Sequence, residues 1–376
     1  MVSLHYLKYT YNLSDEETVA RWVENPYWQH FSGPQHFEYK MPIDPSSMTR
    51  WRKRIGVEGA ETLLSQTIRT AVEQKYLKIS QCQRVSVDTT VQTKDIRFPT
   101  DARLYDRMRE KIVKTAVNED IALRQSYIRV GKQVLRRQQN YAHARQGRRA
   151  QRATKRLKTL LGRVVRDVER KTSEPSNILK EQLTLAKRLL QQRRYSKNKI
   201  YSIHEPQVEC IAKGKAHQRY EFGCKVGFSV TAKGNWIIGA QAFSDNPYDG
   251  HTLKQSLKQT ERLTNIKIQQ ATCDQGYRGH GVEDTNVMIV PQRKNKAGKA
   301  IRHWWRRRNA IEPIIGHSKS DHRLNRNQLA GELGDQLNAI LSACGFNIKK
   351  LIRAFWLWIQ NVINSVDNIN FQRSFA

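Results

Sequence analysis

The chain has 376 residues and a formal net charge of +32, from 66 Lys+Arg against 34 Asp+Glu. That excess is larger than solubility requires and points to a polyanionic partner. No signal-peptide-like apolar core opens the chain, Ile340–Val366 is broken by Asn347, Lys349, Lys350 and Arg353, and the five cysteines form no C-x-x-C pair. These features argue against export, a membrane span and a structural zinc site, and predict a cytoplasmic, nucleoid-associated protein.

Residues 1–80 read as helical. Ser14-Asp-Glu-Glu17 has the spacing of a capping box, and Asp44-Pro-Ser-Ser47 marks a second helix start. The second run passes Met48 and Ile55, meets Gly56, and resumes through Leu63, Leu64, Ile68, Val72 and Leu77. Two helices about a glycine, with Arg50, Arg52, Lys53 and Arg54 beside Trp51, suit a small DNA-binding unit and equally a helical bundle with a basic edge. The apolar residues Leu4, Tyr6, Leu7 and Tyr9 have no upstream helix to cover them. They predict a missing upstream element, as in a shortened reading frame, or an oligomer contact.

Val85, Val87, Thr89 and Val91 alternate with Ser86, Asp88 and Thr90, the pattern of a strand carrying an acid at its middle. Residues 104–200 follow as a basic helical block holding 27 Lys+Arg and 8 acids, with no acid at all between Ile121 and Arg166. Leu157, Leu160, Leu161, Val164, Val165 and Val168 form a helical stripe within it, so the block is folded and carries a basic outer face rather than being a disordered tail. A break is expected at Lys171-Thr-Ser-Glu-Pro-Ser176. Strands are predicted at Val208–Ile211, Tyr220–Thr231 and Trp236–Phe243, then a helix over Thr252–Leu263 and a strand over Ile266–Asp274. A strand at Val287–Val290, a helix over Trp305–Ser320 and final helices over Gly334–Asn364 complete the series.

With the basic block removed, this order is that of a ribonuclease H-like α/β core, whose first and fourth strands are neighbours. The predicted domains are therefore 1–80, helical and DNA-binding; 81–103 with 201–330, the catalytic core; 104–200, a basic helical insertion; and 331–376, C-terminal helices. Asp88 and Asp274 come together in such a core, and Glu312 follows on a helix. Three carboxylates suit hard divalent cations, and two Mg2+ (or Mn2+) ions about 3.5–4 Å apart are the expected cofactors for phosphodiester chemistry. Trp305, Arg308, Glu312 and Lys319 are spaced three, four and seven apart, so a continuous helix would present them on one face. Pro313 predicts a helix start or bend near Asn309. Asp101, Asp245 and Asp249 each lie within two residues of Pro, Gly or Asn and read as turn formers, Asp245 and Asp249 being the next acids to test. His317 and Asp321 can share a helix face. Trp356 and Trp358 read as core or dimer interface.

The chain resembles bacterial insertion-sequence transposases of the DDE type, most closely the insertion-sequence-five group. The resemblance runs through Leu13–Val23, Asp44–Ser47, Val87–Gln92, Phe98–Asp101, Gln125–Tyr127, Lys197–Tyr201, Glu209–Lys215, Asn246–Thr252, Asp274–Gly279 and Asn338–Ile348. It implies that Asp88, Asp274 and Glu312 are the catalytic, metal-holding acids and that Arg308 and Lys319 are the basic partners of the family's Tyr-x2-Arg-x3-Glu-x6-Lys signature. Trp305 stands where that signature has tyrosine. The resemblance further implies binding to double-stranded DNA at the element's terminal inverted repeats, metal-dependent end cleavage and strand transfer, and a homodimer or larger assembly on DNA. Arg148, Arg149 and Arg152 are expected DNA contacts in the basic block. A nuclease or resolvase on the same core, or a non-catalytic DNA-binding repressor, are the competing readings; the presence of all three acids favours an enzyme.

Overall fold

The computed structural model describes residues 1–193, 195–212, 219–291 and 298–373, so the end of the family-like Glu209–Lys215 segment lies outside the described residues. The chain opens with α1 (Val2–Thr10) and α2 (Asp15–Glu24). The second helix begins where Ser14 and Glu17 each accept from the other's backbone N–H, as their spacing predicts. α3 (Pro26–Ser32) and α4 (Pro45–Glu73) follow. Asp44 caps α4, which changes direction at Gly56, where a φ of 61° would strain any side chain. The glycine break is therefore present, and of the basic residues read around it Arg50, Lys53 and Arg54 are exposed while Arg52 is not. Arg52 is 3% exposed and forks onto Asp15 at 2.8 and 2.6 Å.

The apolar start of the chain is also covered, which corrects the expectation drawn from it. Leu4 and Leu7 share a core with Leu13, Val19, Trp22, Trp28 and Met48, and the buried Tyr9 hydroxyl donates to Asn338 at 3.0 Å. The cover comes from residues 13–48 and, at Tyr9, from far along the sequence.

The described chain forms two compact units, one of residues 1–95 with the chain from Gly223 onward, the other of residues 96–222. In the first, α5 (Ile79–Cys82) leads into β1 (Arg84–Lys94). The second consists of α6 (Asp101–Asn118), α7 (Ile128–His143), α8 (Gly147–Lys171), α9 (Asn177–Gln191) and a short β2 (Glu209–Ile211). The stripe Leu157, Leu161, Val164, Val165 and Val168 of α8 shares a core with Met108 and Ile112 of α6 and with Leu179 and Leu183 of α9. Arg148, Arg149, Arg152, Arg163 and Arg166 stay exposed on the same helix. Arg109 is the exception in the basic block, fully buried against Asp106 at 2.7 Å.

The first unit resumes with β3 (Glu221–Thr231), β4 (Ile237–Phe243), α10 (Asp249–Thr264) and β5 (Gln270–Cys273). A single 3-10 turn, Gln275–Tyr277, precedes β6 (Asn286–Ile289), α11 (Lys299–Arg308), α12 (Ile311–Asp321), β7 (Arg326–Asn327) and α13 (Gly331–Arg373). β3 lies antiparallel to both β1 and β4, while β5 runs parallel to β1 and β6 parallel to β5. β5 is shorter than predicted, because Ile268 and Gln269 spend their backbone N–H groups on Glu261 and on the Gln83 carbonyl before the ladder starts.

The helix read over Trp305–Ser320 is two helices meeting at Asn309–Ala310, the break that Pro313 predicts near Asn309. Pro313 cannot donate a backbone bond to Asn309, and it sits instead in the first turn of α12, where no donor is required. The helices of residues 1–80 are not segregated from the sheet, since Leu64 and Ile68 of α4 share one core with Val85, Val87, Phe228, Leu253, Ile340 and Leu341. Burial of each such aliphatic side chain contributes roughly 1.5–3 kcal/mol, which a helix standing alone could not gain. Trp356 and Trp358, read as core or interface, are 59% and 56% exposed. Among the described residues no helix is long and apolar enough to cross a membrane.

Candidate active site

Alternation along β1 sends Val85 and Val87 into the core and leaves Asp88 on the other side of the strand. The parallel register sets Ser86 beside Thr272, so Asp88 and Asp274 leave neighbouring strands at matching heights. Each is fixed by a backbone amide. Thr89 N–H donates to Asp88 Oδ1 at 2.8 Å, and Gly276 N–H donates to Asp274 Oδ1 at 2.9 Å. Asp274 thus caps the 3-10 turn as well as standing in the cluster.

Arg308, the last residue of α11, gathers the acids. Its Nη2 lies 2.8 Å from Asp88 Oδ2 and 3.4 Å from Asp274 Oδ2, and its Nη1 lies 3.4 Å from Glu312 Oε1. Side-chain exposure rises from 12% for Arg308 and 15% for Asp88 to 40% for Asp274 and 66% for Glu312, so the cluster opens to water on the helix side. One guanidinium thus reaches all three carboxylates.

A second layer lies beneath, and it includes Asp249, read in the sequence as a turn former and as one of the next acids to test. Thr89 Oγ1 donates to Asp249 Oδ1 at 2.8 Å, and the buried Lys225 ammonium lies 2.9 Å from the same oxygen. Tyr277, which the sequence did not single out, is fully buried, and its hydroxyl has no hydrogen-bond partner among the described residues. Burial, together with the fields of Cys273, Asp88, Asp249 and Asp274, raises its pKa well above that of an ordinary phenol, so the hydroxyl keeps its proton as a donor.

Of the predicted DNA contacts, Trp305 is 8% exposed and faces the interior, and Trp304 is the residue that stacks with a cation, Arg84, at 4.9 Å. Lys319 is half-buried on α12. Arg148, Arg149 and Arg152 are exposed on α8, in the other unit. His317 and Asp321 do share a face, 3.0 Å apart. Among the described residues, no three His, Cys, Asp or Glu side chains are gathered closely enough as they stand to hold an ion. The Arg308 guanidinium lies at the point where the three carboxylates meet. The donor set is nonetheless all carboxylate oxygen and fits a hard divalent cation once Arg308 moves aside.

Residues 1–54 match a family described as a transposase domain, and residues 286–352, which include Arg308, Glu312 and Lys319, match one described as a transposase DDE domain. A protein of Rhizobium meliloti, uncharacterised protein ORF8 in the nfe locus, is 51% identical over 146 residues, which are 39% of this chain and 70% of that protein. The chain belongs to the insertion-sequence DDE transposases. This transposase is a DNA-directed enzyme of a family that generally uses divalent metals. No solved structure matches it.

Proposed function

We propose that this transposase belongs to the insertion-sequence-five group and works in the cytoplasm at the nucleoid. It binds its element's terminal inverted repeats, cuts the phosphodiesters at the ends with water, and joins the freed 3′-hydroxyl to target DNA. The observation that carries the reading is the meeting of Asp88, Asp274 and Glu312, from three distant segments, on Arg308. The strand order β4–β3–β1–β5–β6, antiparallel through β1 and parallel beyond it, supports a ribonuclease H-like core. In this reading residues 96–222 are the basic insertion, residues 1–80 recognise DNA while sharing the core of the sheet, and α13 closes the chain.

Asp88, Asp274 and Glu312 would hold the two Mg2+ or Mn2+ ions. Such ions, when bound, supply charge neutralisation at the phosphate and a more reactive attacking oxygen. The chain's own residues supply position and field. Asp88 and Asp274 are fixed by backbone amides, so little reorganisation is needed when the phosphate arrives. Arg308 and Lys319 offer donors to phosphate oxygens, the guanidinium in a planar fork. The exposed arginines of α8 track the duplex backbone. Phe355, Trp356, Leu357 and Trp358, all exposed on α13, support a homodimer or larger assembly on DNA.

Asp88→Asn, Asp274→Asn and Glu312→Gln should each lower end cleavage by about a thousandfold or more while leaving duplex affinity nearly unchanged. Cutting retained by any of them removes that acid from the site. Cutting without joined products would make the protein a nuclease on the same core. If the basic unit neutralises about eight phosphates, the log–log salt slope is near −7, and replacing Arg148, Arg149 and Arg152 together flattens it by up to ~3. An unchanged slope moves the DNA track elsewhere.

A further inference from the structure

The two site aspartates are each held by one backbone amide, and both amides belong to segments that touch Asp249. Thr89 supplies the N–H that fixes Asp88, and its hydroxyl donates to Asp249 Oδ1 at 2.8 Å. Gly276 supplies the N–H that fixes Asp274. A side-chain carbon on Gly276 would stand 3.0 Å from Asp274 Oδ1 and 3.1 Å from Asp249 Oδ2, so the bare glycine is what lets both carboxylates lie against this turn. Asp249 therefore touches the support of Asp88 with one oxygen and the support of Asp274 with the other.

Asp249 is itself firmly placed. It opens α10, whose next residue, Gly250, approaches the Arg278 carbonyl so closely that a Cβ there would lie 3.2 Å from it. Lys225 clamps the other side, its ammonium bonded to the Pro247 carbonyl at 2.6 Å and paired with Asp249 Oδ1 at 2.9 Å. A turn former needs none of this. A carboxylate used only to start a helix is solvated, whereas this one is clamped between β1, β3 and the 275–277 turn. Tyr277 gives an independent sign that the cluster receives a ligand, since it lies in the turn that Asp274 caps and its fully buried hydroxyl has no partner among the described residues. Buried hydroxyls are rarely left unpaired without a functional reason.

We propose that Asp249 is a fourth carboxylate of this site, a positioning residue that sets the spacing of Asp88 and Asp274 through Thr89 and the Gly276 turn. The proposal rests on the reading of Asp88, Asp274 and Glu312 as the cation-holding acids. Loss of such an orienting partner weakens metal affinity or activity by about 10–100-fold.

The test is Mn2+ binding to the full-length protein, followed by electron paramagnetic resonance, with duplex affinity and thermal midpoint measured alongside. Asp249→Asn and Thr89→Val should each weaken Mn2+ binding by about tenfold or more at unchanged duplex affinity, and Thr89→Ser, which restores the hydroxyl, should recover most of the loss relative to Thr89→Val. Gly276→Ala should show a similar loss, because its methyl group would crowd both carboxylates. Unchanged Mn2+ affinity in folded Asp249→Asn and Thr89→Val overturns the proposal, whatever happens to cleavage. If Asp249→Asn fails to fold, Thr89→Val alone decides. Asp88→Asn separates the two levels: if it too binds Mn2+ normally, the underlying site assignment has failed, and if it alone loses binding, only the role of Asp249 has.

Discussion

Arg52 and Arg308 are both drawn onto carboxylates, and their settings are opposite. Arg52 and Lys8 converge on the single acid Asp15, with side-chain exposures of 4%, 5% and 13%, so two cations hold one acid and all three are shut away from water. Burial alone would push the Asp15 carboxyl up, but the hydrogen bonds and charges of Arg52 and Lys8 hold it well below the usual carboxylate range. Among the described residues Arg308 reaches three acids, of which Glu312 is largely exposed. The first arrangement fastens helices. The second gathers acids at an open surface, where they can accept another cation. In a chain with 66 Lys+Arg, the charge of an arginine says little about its work, and the balance around it says much more.

The largest effect that would break this comparison is on stability. Arg52→Met removes one partner of a buried pair and should destabilise the protein by about 3 kcal/mol or more, read by denaturant melts. A change below about 1 kcal/mol would class Arg52 with ordinary surface charges and leave the N-terminal helices without their fastening.

A somewhat smaller effect should appear with pH. His5 is buried, packs on Trp51 with ring centroids 4.5 Å apart, and lies 3.3 Å from Arg52 Nη1. Burial first, then the charges of Arg52 and Lys8, bring its pKa down to about 4, against the bond to the Met1 carbonyl and the charge of Asp15, which act to raise it. The unfolded chain takes up a proton near 6.5 that the folded one does not accept until about 4. Stability is therefore full above that window and falls as pH drops through it, by on the order of 2–3 kcal/mol. His5→Gln should flatten that limb of the pH–stability curve. A limb of the same height in His5→Gln would assign the proton to another group.

The same contrast explains what could be read in the sequence. Asp88 was legible because alternation puts an acid on the open side of an otherwise apolar strand, and Asp274 because a strand ends beside it. Their adjacency followed from element order. Asp249 was read as a turn former and as a reserve acid because Asn246-Pro-Tyr248 and Gly250 around it are turn residues; its helix-opening place is real, and the local pattern does not reveal its contacts with Thr89 and Lys225. Trp305 was misread because spacing along a helix does not say which face the fold buries: it lies in α11 with Arg308, ahead of the break at Asn309–Ala310, and is buried, while Arg308 and Glu312 meet across the break. Arg52 could not be told from its exposed neighbours, since its partner Asp15 lies on another helix. The cover of Leu4, Leu7 and Tyr9 arrives partly from α13, and no local pattern announces contacts of that range.

The smallest expected change in stability is at Arg308, and it sharpens the comparison most. Removing this guanidinium leaves three carboxylates facing one another, but Asp274 and Glu312 are open enough for water to screen them. Arg308→Met should therefore shift stability by about 1 kcal/mol or less, well under the effect at Arg52. It also removes the cation with which Mn2+ must compete. A ligand bound only by the folded state stabilises it more as its affinity rises, so Mn2+ should raise the thermal midpoint of Arg308→Met more than that of the unaltered protein. No such difference is expected between Arg52→Met and the unaltered protein, because Asp15 keeps Lys8. Cleavage is the wrong readout, since Arg308 is also proposed to hold phosphate. If Mn2+ shifts the Arg308→Met midpoint no further than it shifts the unaltered protein's, Arg308 is not a stand-in for a divalent ion, and the two arginines differ in exposure alone.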